Sequence, residues 1–319
     1  MSLPLWPHDE PPFHSGEQAV QQRAGSRERM AELGRRVLRA QLIDQHREFF
    51  PLLPFVVVGT VDLAGQPWAS LLAGERTGFV ISPDEAHLRV DALPPTGDPI
   101  ASLLHAGAPL GLLGIELQTR RRNRANGRIV GVDARGFTMQ VAQSFGNCPK
   151  YIQRREPMAR VATSPELPVS TDRLDERGAS LVREADTFFV ATNAAADRVN
   201  GGSDVSHRGG RPGFVRVEDG GRMLVWPDFA GNRYFNTLGN IALDARAGLV
   251  FADFGSGDLL HVAGRAEIVW DGSSLEGFAG AERLVRLRID EVVLRPSAWP
   301  LRWRLVEASP FLPETGAWR

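Results

Sequence analysis

An internal duplication limits the folds open to this chain more than any other feature of its sequence. The segment GERTGFVISPD (Gly74–Asp84) resembles GGRPGFVRVED (Gly209–Asp219), and other similar segments follow in the same order. A period of roughly 130 residues is too long for a solenoid repeat and indicates two similar domains. Tandem copies commonly pack as a pseudo-dimer, which reproduces a two-fold interface within one chain.

Both copies contain short segments with the composition of β-strands. Phe55–Val61 is rich in valine and precedes the turn signal Asp62–Gly65, and Thr187–Thr192 repeats this pattern in the second half. The other predicted strands are Trp68–Leu72, Gly78–Ile81, Leu88–Val90, Gly111–Leu117, Arg128–Val132 and Phe137–Val141, then Gly213–Val217, Met223–Trp226, Gly248–Phe251, Leu260–Val269 and Arg286–Leu294. Short strands between Gly, Pro and Asp turns are typical of an antiparallel barrel or sandwich.

Helical signals occur at four places. Apolar residues recur at helical spacing from Gly16 to about Arg47 and predict one or two amphipathic helices, with a break at Ala24–Ser26. Asp98 as cap and Pro99 at the first position predict a helix over Asp98–Ala106. Its counterpart in the second half is expected at about Tyr234–Leu243, and a further short helix from about Thr171.

These patterns divide the chain into five parts. Residues 1–50 form an irregular segment followed by amphipathic helices, and residues 51–152 form the first barrel half. Residues 153–178 lose the strand pattern and are expected to connect the halves, residues 179–306 form the second half, and residues 307–319 form a tail. In both halves we expect three strands, a helix and three more strands.

Composition excludes several classes of function. The 37 basic and 38 acidic residues nearly balance, which argues against broad nucleic-acid binding but not against a local basic pocket. The single cysteine, Cys148, excludes an intrachain disulfide and suits a reducing compartment. No signal-peptide pattern or membrane-length apolar stretch is evident. We therefore expect a cytoplasmic protein without a nucleic-acid or membrane partner, and a homodimer remains open.

The strongest local signal suggests a site for an anion in the second half. A strand is expected to end at Asp228, followed by a glycine turn and a helix near Tyr234, and the free N–H groups of a helix start attract anions. Arg233 adds a charged donor and Asn232 a neutral one. Ser206, His207 and Arg208, on the neighbouring strand, could reach the same anion. An arginine-rich surface loop explains these residues equally well.

The run DVSHRGGRPGFV…MLVWPDFAGNR…NTLGNI…AGLVFA…LLHVAGRAEI resembles the pyridoxamine 5′-phosphate oxidase-related family of FMN-binding split barrels. The resemblance covers about Asp186–Val293, and the first half resembles a diverged member of the same superfamily. It implies a mainly β fold with α-helices: two tandem split β-barrel domains packed as a pseudo-dimer, with N-terminal helices added. It also implies one FMN held between the barrels.

Residues that match the family's motifs imply a composite FMN site. Its phosphate would be held by Ser206, Arg208, Asn232 and Arg233, with His207 and Trp226 in the pocket wall, whereas Asn236 and Asn240 would stabilise the turn and helix. The first half lacks the arginine and carries Asp98, which would repel phosphate. It would instead supply Lys150, with Asn147 and Tyr151, near the flavin ring. Lys150 is the only lysine of the chain, and a surface position is its alternative.

Other candidates carry weaker signals. Cys148, beside Pro149, is expected to be a packed, inert thiol rather than a nucleophile. The run Arg120–Arg124 is read as an exposed strand end, with contact to an anionic substrate or dinucleotide as the alternative. The histidines show no metal-ligand spacing, and no nucleophile elbow, P-loop or dinucleotide fingerprint is present.

The sequence therefore predicts an FMN-dependent oxidoreductase acting on a small molecule, with NAD(P)H as a candidate electron donor. Hydride exchange with flavin N5 demands no side-chain acid or base, so no catalytic residue is predicted. Pyridoxal phosphate synthesis is not expected, because the family's substrate-phosphate motifs are absent in that form, although Trp299, Trp303 and Arg304 lie near the corresponding end. The alternatives are a non-catalytic flavin- or haem-binding protein and a deazaflavin enzyme.

Overall fold

A computed structural model describes residues 6–163, 166–194 and 200–318 of the chain. Its N-terminal part is helical: α1 spans Ser15–Arg23, α2 spans Arg27–Val37, α3 spans Asp44–Phe49, and a 3₁₀ turn covers Phe50–Leu52. The predicted break between the first two helices is confirmed. It falls at Gly25, whose φ of 64° is readily adopted only without a side chain.

The first half forms a seven-stranded antiparallel sheet in the order β2-β1-β5-β6-β7-β4-β3. Its strands are β1 (Phe55–Val61), β2 (Pro67–Ala73), β3 (Val80–Asp84), β4 (His87–Val90), β5 (Pro109–Glu116), β6 (Arg121–Asp133) and β7 (Gly136–Gly146).

A two-stranded sheet and a short strand surround the connection between the halves. The two-stranded sheet pairs β8 (Arg154–Arg160) with β17 (Leu301–Glu307), and β9 (Val169–Thr171) adds to the second large sheet. The predicted connection at residues 153–178 thus contains two strands that its sequence pattern did not reveal. The following helix, α4, spans Glu176–Glu184 and not a stretch from Thr171, because Asp175 caps it by accepting from the N–H of Gly178 at 2.8 Å.

The second half forms an eight-stranded sheet. Seven of its strands run in the order β11-β10-β14-β15-β16-β13-β12, and the eighth is β9, which pairs with β16. Its strands are β10 (Thr187–Ala194), β11 (Gly202–Gly209), β12 (Arg216–Glu218), β13 (Met223–Phe229), β14 (Arg246–Ala252), β15 (Leu259–Val269) and β16 (Ala281–Arg295). Helices α5 (Asn236–Leu243) and α6 (Ser273–Glu276) and 3₁₀ turns at Asp219–Gly221 and Leu312–Glu314 complete it.

The mainly β fold with helices is confirmed, and the two large sheets share one connectivity. In each, the strands run second, first, fifth, sixth, seventh, fourth and third. The register agrees as well: Gly59 pairs with Gly111 in the first sheet, and Ala191 pairs with Gly248 at the same place in the second. Each half thus has four strands before the helical position rather than the three predicted.

The two sheets pack face to face through their first strands, which are buried on both sides. On β1, Val56 and Val58 belong to the core of the first half, whereas Val57 faces an apolar seam shared with the second half. On β10, Val190 points to its own core and Phe189 to the seam. Alternation of side chains along a strand explains how one strand serves two cores.

Glycines let the backbones approach closely across this seam. A Cβ on Gly111 would lie 2.8 Å from Cα of Asp204, and a Cβ on Gly248 would lie 2.1 Å from the carbonyl oxygen of Pro67. These two contacts are equivalent under the internal repeat, since β5 meets β11 as β14 meets β2. Both positions therefore require glycine for a reason that only packing reveals.

The N-terminal helices cover the second half. Helix α1 crosses α5 at Gly16 and Gly239, so closely that a Cβ on Gly16 would lie 2.1 Å from the carbonyl oxygen of Gly239. Nε2 of His14 is 2.8 Å from Oδ1 of Asn240, which also donates to Thr192 at 3.0 Å. The side chain of Asn240 therefore helps to hold α1 against the second half. No helix among the described residues is long and apolar enough to span a membrane.

The predicted helix at Asp98–Ala106 is wrong, because this segment forms turns. The Asp98 carboxylate does bond the nearby N–H of Ile100, at 3.1 Å. It is also buried and accepts from Ser70 at 2.5 Å and from Arg295 at 2.6 Å. Long-range partners thus hold this residue where local signals suggested a helix cap.

Substituting Gly248 by Ala should destabilise the protein by about 1–3 kcal/mol, because the new methyl group overpacks the seam against backbone atoms. The matched control is Gly131→Ala on β6, where a Cβ would meet nothing within 4 Å. Urea unfolding of both variants measures the difference. Equal stability of the two variants would show that the seam is not packed this closely.

Candidate functional site

A cleft opens where the end of the first sheet meets the second half. It encloses about 750 Å³, including the part that is open to solvent. Its lining comprises Arg122, Arg124, Asn147, Cys148, Lys150 and Tyr151 from the first half, and Ser206–Gly209, Phe214, Pro227–Phe229, Gly231–Arg233 and Phe235–Leu238 from the second. Eight of the nine side chains predicted to bind the cofactor lie here; Trp226 does not.

Positive charge dominates this lining. Arg122, Arg124, Lys150, Arg208 and Arg233 carry basic groups, whereas Asp228 is its only carboxylate. Because cations enclosed by protein are normally paired, the partners of each basic group indicate which of them are left for a ligand.

Arg124 has several partners within the protein, although its buried Nε has none. Its guanidinium lies 3.0 Å from the carboxylate of Asp204, and both side chains are buried. It also donates to Asn236 at 3.2 Å and to the hydroxyl of Ser206. This buried pair joins β6 of the first half to β11 of the second and fixes the floor of the cleft.

Arg122 has no carboxylate partner. Its Nε donates to the carbonyl oxygen of Cys148 at 2.8 Å, and Nη1 lies 3.1 Å from Nδ1 of His207. Burial, together with the nearby charges of Arg124 and Arg208, lowers its pKa to about 10. At neutral pH it remains charged, so the cleft holds a cation whose charge no carboxylate offsets among the described ion pairs.

Arg208 is only weakly compensated. Its Nη2 lies 3.8 Å from the carboxylate of Asp228, and burial lowers the pKa of the guanidinium. The same burial raises the pKa of Asp228. The buried Nε atoms of Arg208 and Arg124 have no hydrogen-bond partner, nor has Nε2 of His207. These three atoms of the cleft lining are polar groups that the protein itself leaves unsatisfied.

His207 is neutral in this environment. Burial is the largest cause that lowers its pKa well below the ordinary value, and the neighbouring arginines Arg122 and Arg208 add to the shift. An uncharged imidazole can accept or donate one hydrogen bond at each nitrogen, according to tautomer.

The N-terminus of α5 completes the second half of the site. Phe235 precedes the helix with φ of 63°, and its side chain does not cap the first turn. The first N–H groups of a helix lack partners within it and favour an anion. Thr237 donates to Ser206 at 2.8 Å, which ties this helix to β11. Asn236, predicted only to stabilise the turn, lines the cleft and also donates to buried Glu17 of α1.

Asn232 and Arg233 lie at the rim. Oδ1 of Asn232 accepts from the N–H of Tyr234 at 3.1 Å, so it shapes the turn. Arg233 has φ of 63°, and its guanidinium reaches Glu282 at 3.2 Å and the carbonyl oxygen of Ala24 at 3.4 Å. The sequence indicated Arg233 as a free phosphate ligand, whereas the structure gives it these partners within the protein.

The first half closes the other side of the cleft. Lys150 is partly exposed and forms no ion pair in the described part of the chain; its Nζ lies 5.0 Å from the ring centre of Phe311. Tyr151 donates from its hydroxyl to the carbonyl oxygen of Ala230 at 3.2 Å, and burial raises its pKa to about 12. Asn147 faces Asn232 at 3.4 Å across the gap. The structure thus brings the three predicted residues of the first half to the same cleft as the predicted residues of the second half, except Trp226.

The prediction that Trp226 lies in the pocket wall is wrong. Its ring is buried in the core of the second half against Phe188, at a centroid distance of 5.4 Å. On β13, the neighbours Pro227 and Asp228 line the cleft instead.

The predicted set of cofactor-binding residues does not include Arg122, Arg124 and Cys148. The interpretation of Arg120–Arg124 as an exposed strand end is wrong for Arg122 and Arg124, since Arg124 is buried and Arg122 lines the cleft. The alternative, contact with an anionic substrate or dinucleotide, stays a prediction. Alternation along β6 was the available signal, because residues two apart share a face. Cys148 is only partly buried, and its Sγ lies 3.7 Å from Nη2 of Arg122.

The equivalent position under the internal repeat is filled by the chain itself. Ser70 takes the place of Ser206, and His261 that of Arg124. Here Ser70 and Arg295 both donate to the carboxylate of Asp98, and the Asp98–Arg295 pair is almost completely buried. Asp98, expected only to repel a phosphate, instead supplies an internal anion.

Comparison with known proteins supports the resemblance inferred from the motifs. Residues 174–297 match the family model described as pyridoxamine 5′-phosphate oxidase, so the resemblance is confirmed over the second half. No curated protein sequence matches the chain.

Solved structures with similar folds cover about two fifths of the chain. A putative pyridoxamine 5′-phosphate oxidase from Lactobacillus delbrueckii is 21% identical, covers 42% of this chain and 98% of its own, and has a TM-score of 0.31. HupZ of Group A Streptococcus is 14% identical, with 43% and 98% covered and a TM-score of 0.30. The FAD binding protein from Mycobacterium smegmatis is 13% identical, with 40% and 97% covered and a TM-score of 0.26.

Replacing Asp204 by Ala should cost about 3–5 kcal/mol of folding free energy, because Arg124 would remain buried without its counter-charge. The matched control is Glu32→Ala, which removes the carboxylate of an exposed pair 2.7 Å from Arg36 and should change stability little. Thermal or urea unfolding of flavin-free protein makes the comparison. A loss for Asp204→Ala no larger than the control's would contradict the role given to this pair.

Proposed function

We propose that the chain binds one FMN in the cleft between its halves and uses it for redox chemistry on a small molecule. One observation carries the proposal: the cleft encloses Arg122, which pairs with no carboxylate among the described residues, beside Arg208, which lies 3.8 Å from the carboxylate of Asp228. Partly desolvated cations in this arrangement are stabilised by an anionic ligand.

The donors of the cleft suit the phosphate of a mononucleotide. Ser206, Arg208 and the start of α5 supply hydroxyl, guanidinium and backbone N–H groups on one side. Asn232 stands at the rim beside them, and the buried Nε of Arg208 has no acceptor within the protein. The family match over residues 174–297 covers these residues and supports a flavin as the ligand.

Bound FMN would supply the electron chemistry, since no side chain of the cleft is itself redox-active apart from Cys148. The protein's own residues would position and shield it. Lys150 places a positive charge on the first-half side, where it would favour a negatively charged ring. The ring of Tyr151 packs beside it, tilted against Phe229 and T-shaped against Phe311, and these rings would restrict the access of water.

We expect a single site per chain. At the repeat-related position the buried Asp98 carboxylate occupies the donors that would otherwise serve a ligand, Ser70 and Arg295. A phosphate there would have to displace a charged pair that the chain already satisfies.

A non-catalytic carrier of flavin or haem is the second candidate. The buried Nε2 of His207 has no hydrogen-bond partner and belongs to a neutral imidazole, which is the form that binds iron. Haem and flavin are distinguished by the absorption spectrum, and FMN, FAD and deazaflavin by the mass of the released ligand. Reduction by NADH or NADPH without oxygen, followed by reoxidation in air, separates an enzyme from a carrier.

Arg208→Gln should weaken FMN binding at least about tenfold, because a hydrogen bond to a charged group contributes about 1.5–3 kcal/mol. Fluorescence titration of flavin-free protein measures the affinity, and native mass spectrometry the stoichiometry. The control is Arg286→Gln, which removes an exposed arginine that pairs with Glu267 on the same sheet. Unchanged FMN affinity in a folded Arg208→Gln protein would refute the proposed cradle.

Lys150→Met should leave FMN bound but lower its reduction potential by tens of millivolts, on the order expected for one charge at an effective dielectric constant of about 20. Lys150→Arg keeps the charge and should keep the potential near the wild-type value. Spectroelectrochemical titration compares the three proteins. A potential that is equal in all of them would place Lys150 outside the influence of the ring.

A further inference from the structure

A second basic groove adjoins the flavin cleft. Its lining includes Arg39 and His46 from the N-terminal helical segment and Arg120–Arg122 from the first half. We propose that this groove binds the phosphate-bearing part of the molecule that exchanges electrons with the flavin. The proposal rests on the proposed function for the identity of that exchange, but the groove's affinity for phosphate can be measured separately.

The groove lies between the N-terminal helical segment and the first sheet. Arg39 lies between α2 and α3, His46 lies on α3, and Arg120–Arg122 lie at the turn before β6 and the start of that strand. Four arginines line the groove, and its lining contains no aspartate or glutamate. Its charge is therefore strongly positive, which attracts an anion.

Two of these arginines already form ion pairs with carboxylates that do not line the groove. Arg120 reaches Glu307 at 3.1 Å, and Arg121 reaches Glu116 at 2.8 Å. Arg39 and Arg122 form no ion pair in the described part of the chain, so their charges are the ones left for a ligand.

Arg39 carries the inference, because it is nearly buried yet incompletely satisfied. Its side chain is 8% exposed, and Nη1 donates to the carbonyl oxygen of Val37 at 2.8 Å. Its buried Nε has no hydrogen-bond partner. Two backbone hydrogen bonds between Arg39 and Ser144 of β7, at 3.1 and 2.7 Å, hold Arg39 against that strand. A buried arginine held in place with a free donor is a typical feature of an anion site.

His46 adds a neutral polar group rather than charge. Burial, and then the nearby charge of Arg39, lowers its pKa to about 4, and its Nδ1 lies 3.3 Å from the hydroxyl of Ser144. The attraction of the groove for an anion is therefore set by its arginines across the neutral pH range.

The groove and the cleft lie next to each other. Arg122 and Asn147 line both, and Pro149 in the groove follows Cys148 in the cleft. A ligand whose phosphate lies beside Arg39 can thus extend its other end past Arg122 towards the flavin. This arrangement favours a phosphorylated redox partner, such as a nicotinamide dinucleotide, over an uncharged one.

The test is calorimetric titration of the FMN-saturated protein with inorganic pyrophosphate and, in parallel, with NADP⁺. Arg39→Gln should weaken pyrophosphate binding about tenfold or more, since one charged hydrogen bond is lost. FMN content should not change, because Arg39 does not line the cleft. The control is Arg36→Gln, an exposed arginine at the end of α2 that pairs with Glu32.

Each outcome decides the proposal. Pyrophosphate binding that is weakened by Arg39→Gln but not by Arg36→Gln supports the groove, and weaker NADP⁺ binding by the same factor extends this to the dinucleotide. No pyrophosphate binding, or binding that Arg39→Gln leaves unchanged, overturns it. If Arg39→Gln does not fold, Arg39→Lys provides the same test, because it keeps the charge but removes the guanidinium Nε donor.

Failure of the proposed function gives a different result. A protein that binds no FMN refutes the flavin cleft, and the titration then includes Arg208→Gln. Weakening by Arg208→Gln alone would place pyrophosphate in the cleft and contradict the groove, whereas weakening by Arg39→Gln alone supports the groove without a flavin.

Discussion

The close apolar packing of two sheets across a seam is the constraint on which the rest of the molecule depends. Gly111 lies against Asp204, and Gly248 against Pro67, so each half approaches the other at equivalent points. Because this approach leaves no space for side chains, close packing constrains the relative position of the sheets. It brings the end of β6 to β11, and the cleft exists only where they meet.

Electrostatics distinguishes two positions that the fold makes equivalent. At one, Asp98 satisfies Ser70 and Arg295, and the chain needs nothing further. At the other, Arg124 is paired with Asp204 but Arg122 is not paired with any carboxylate. The duplication thus supplied two similar frames, and the distribution of carboxylates left only one of them with positive charge to offset. The N-terminal helices extend this excess charge through Arg39.

Much of the fold could be predicted because it depends on local patterns and on repetition. Valine-rich segments, glycine turns and the repeated GFV motif placed most strands, and Gly25 marked the break between helices. Predictions failed where distant partners decide. Asp98 has the local signals of a helix cap but pairs with Arg295, almost two hundred residues away in the sequence. The strand β8 is exposed and polar, and its pairing with β17 leaves no periodic signal of burial.

The sequence by itself determined the duplication, the β-rich architecture and eight of the residues that line the cleft, because composition and order are properties of the chain. Only the tertiary structure decided which of the arginines are satisfied. Arg233 has the sequence context of a ligand, yet it meets Glu282, whereas Arg122 was read as part of an exposed strand end and proves to be the uncompensated one. Charge compensation depends on distances between atoms far apart in the chain, and the order of residues does not contain these distances.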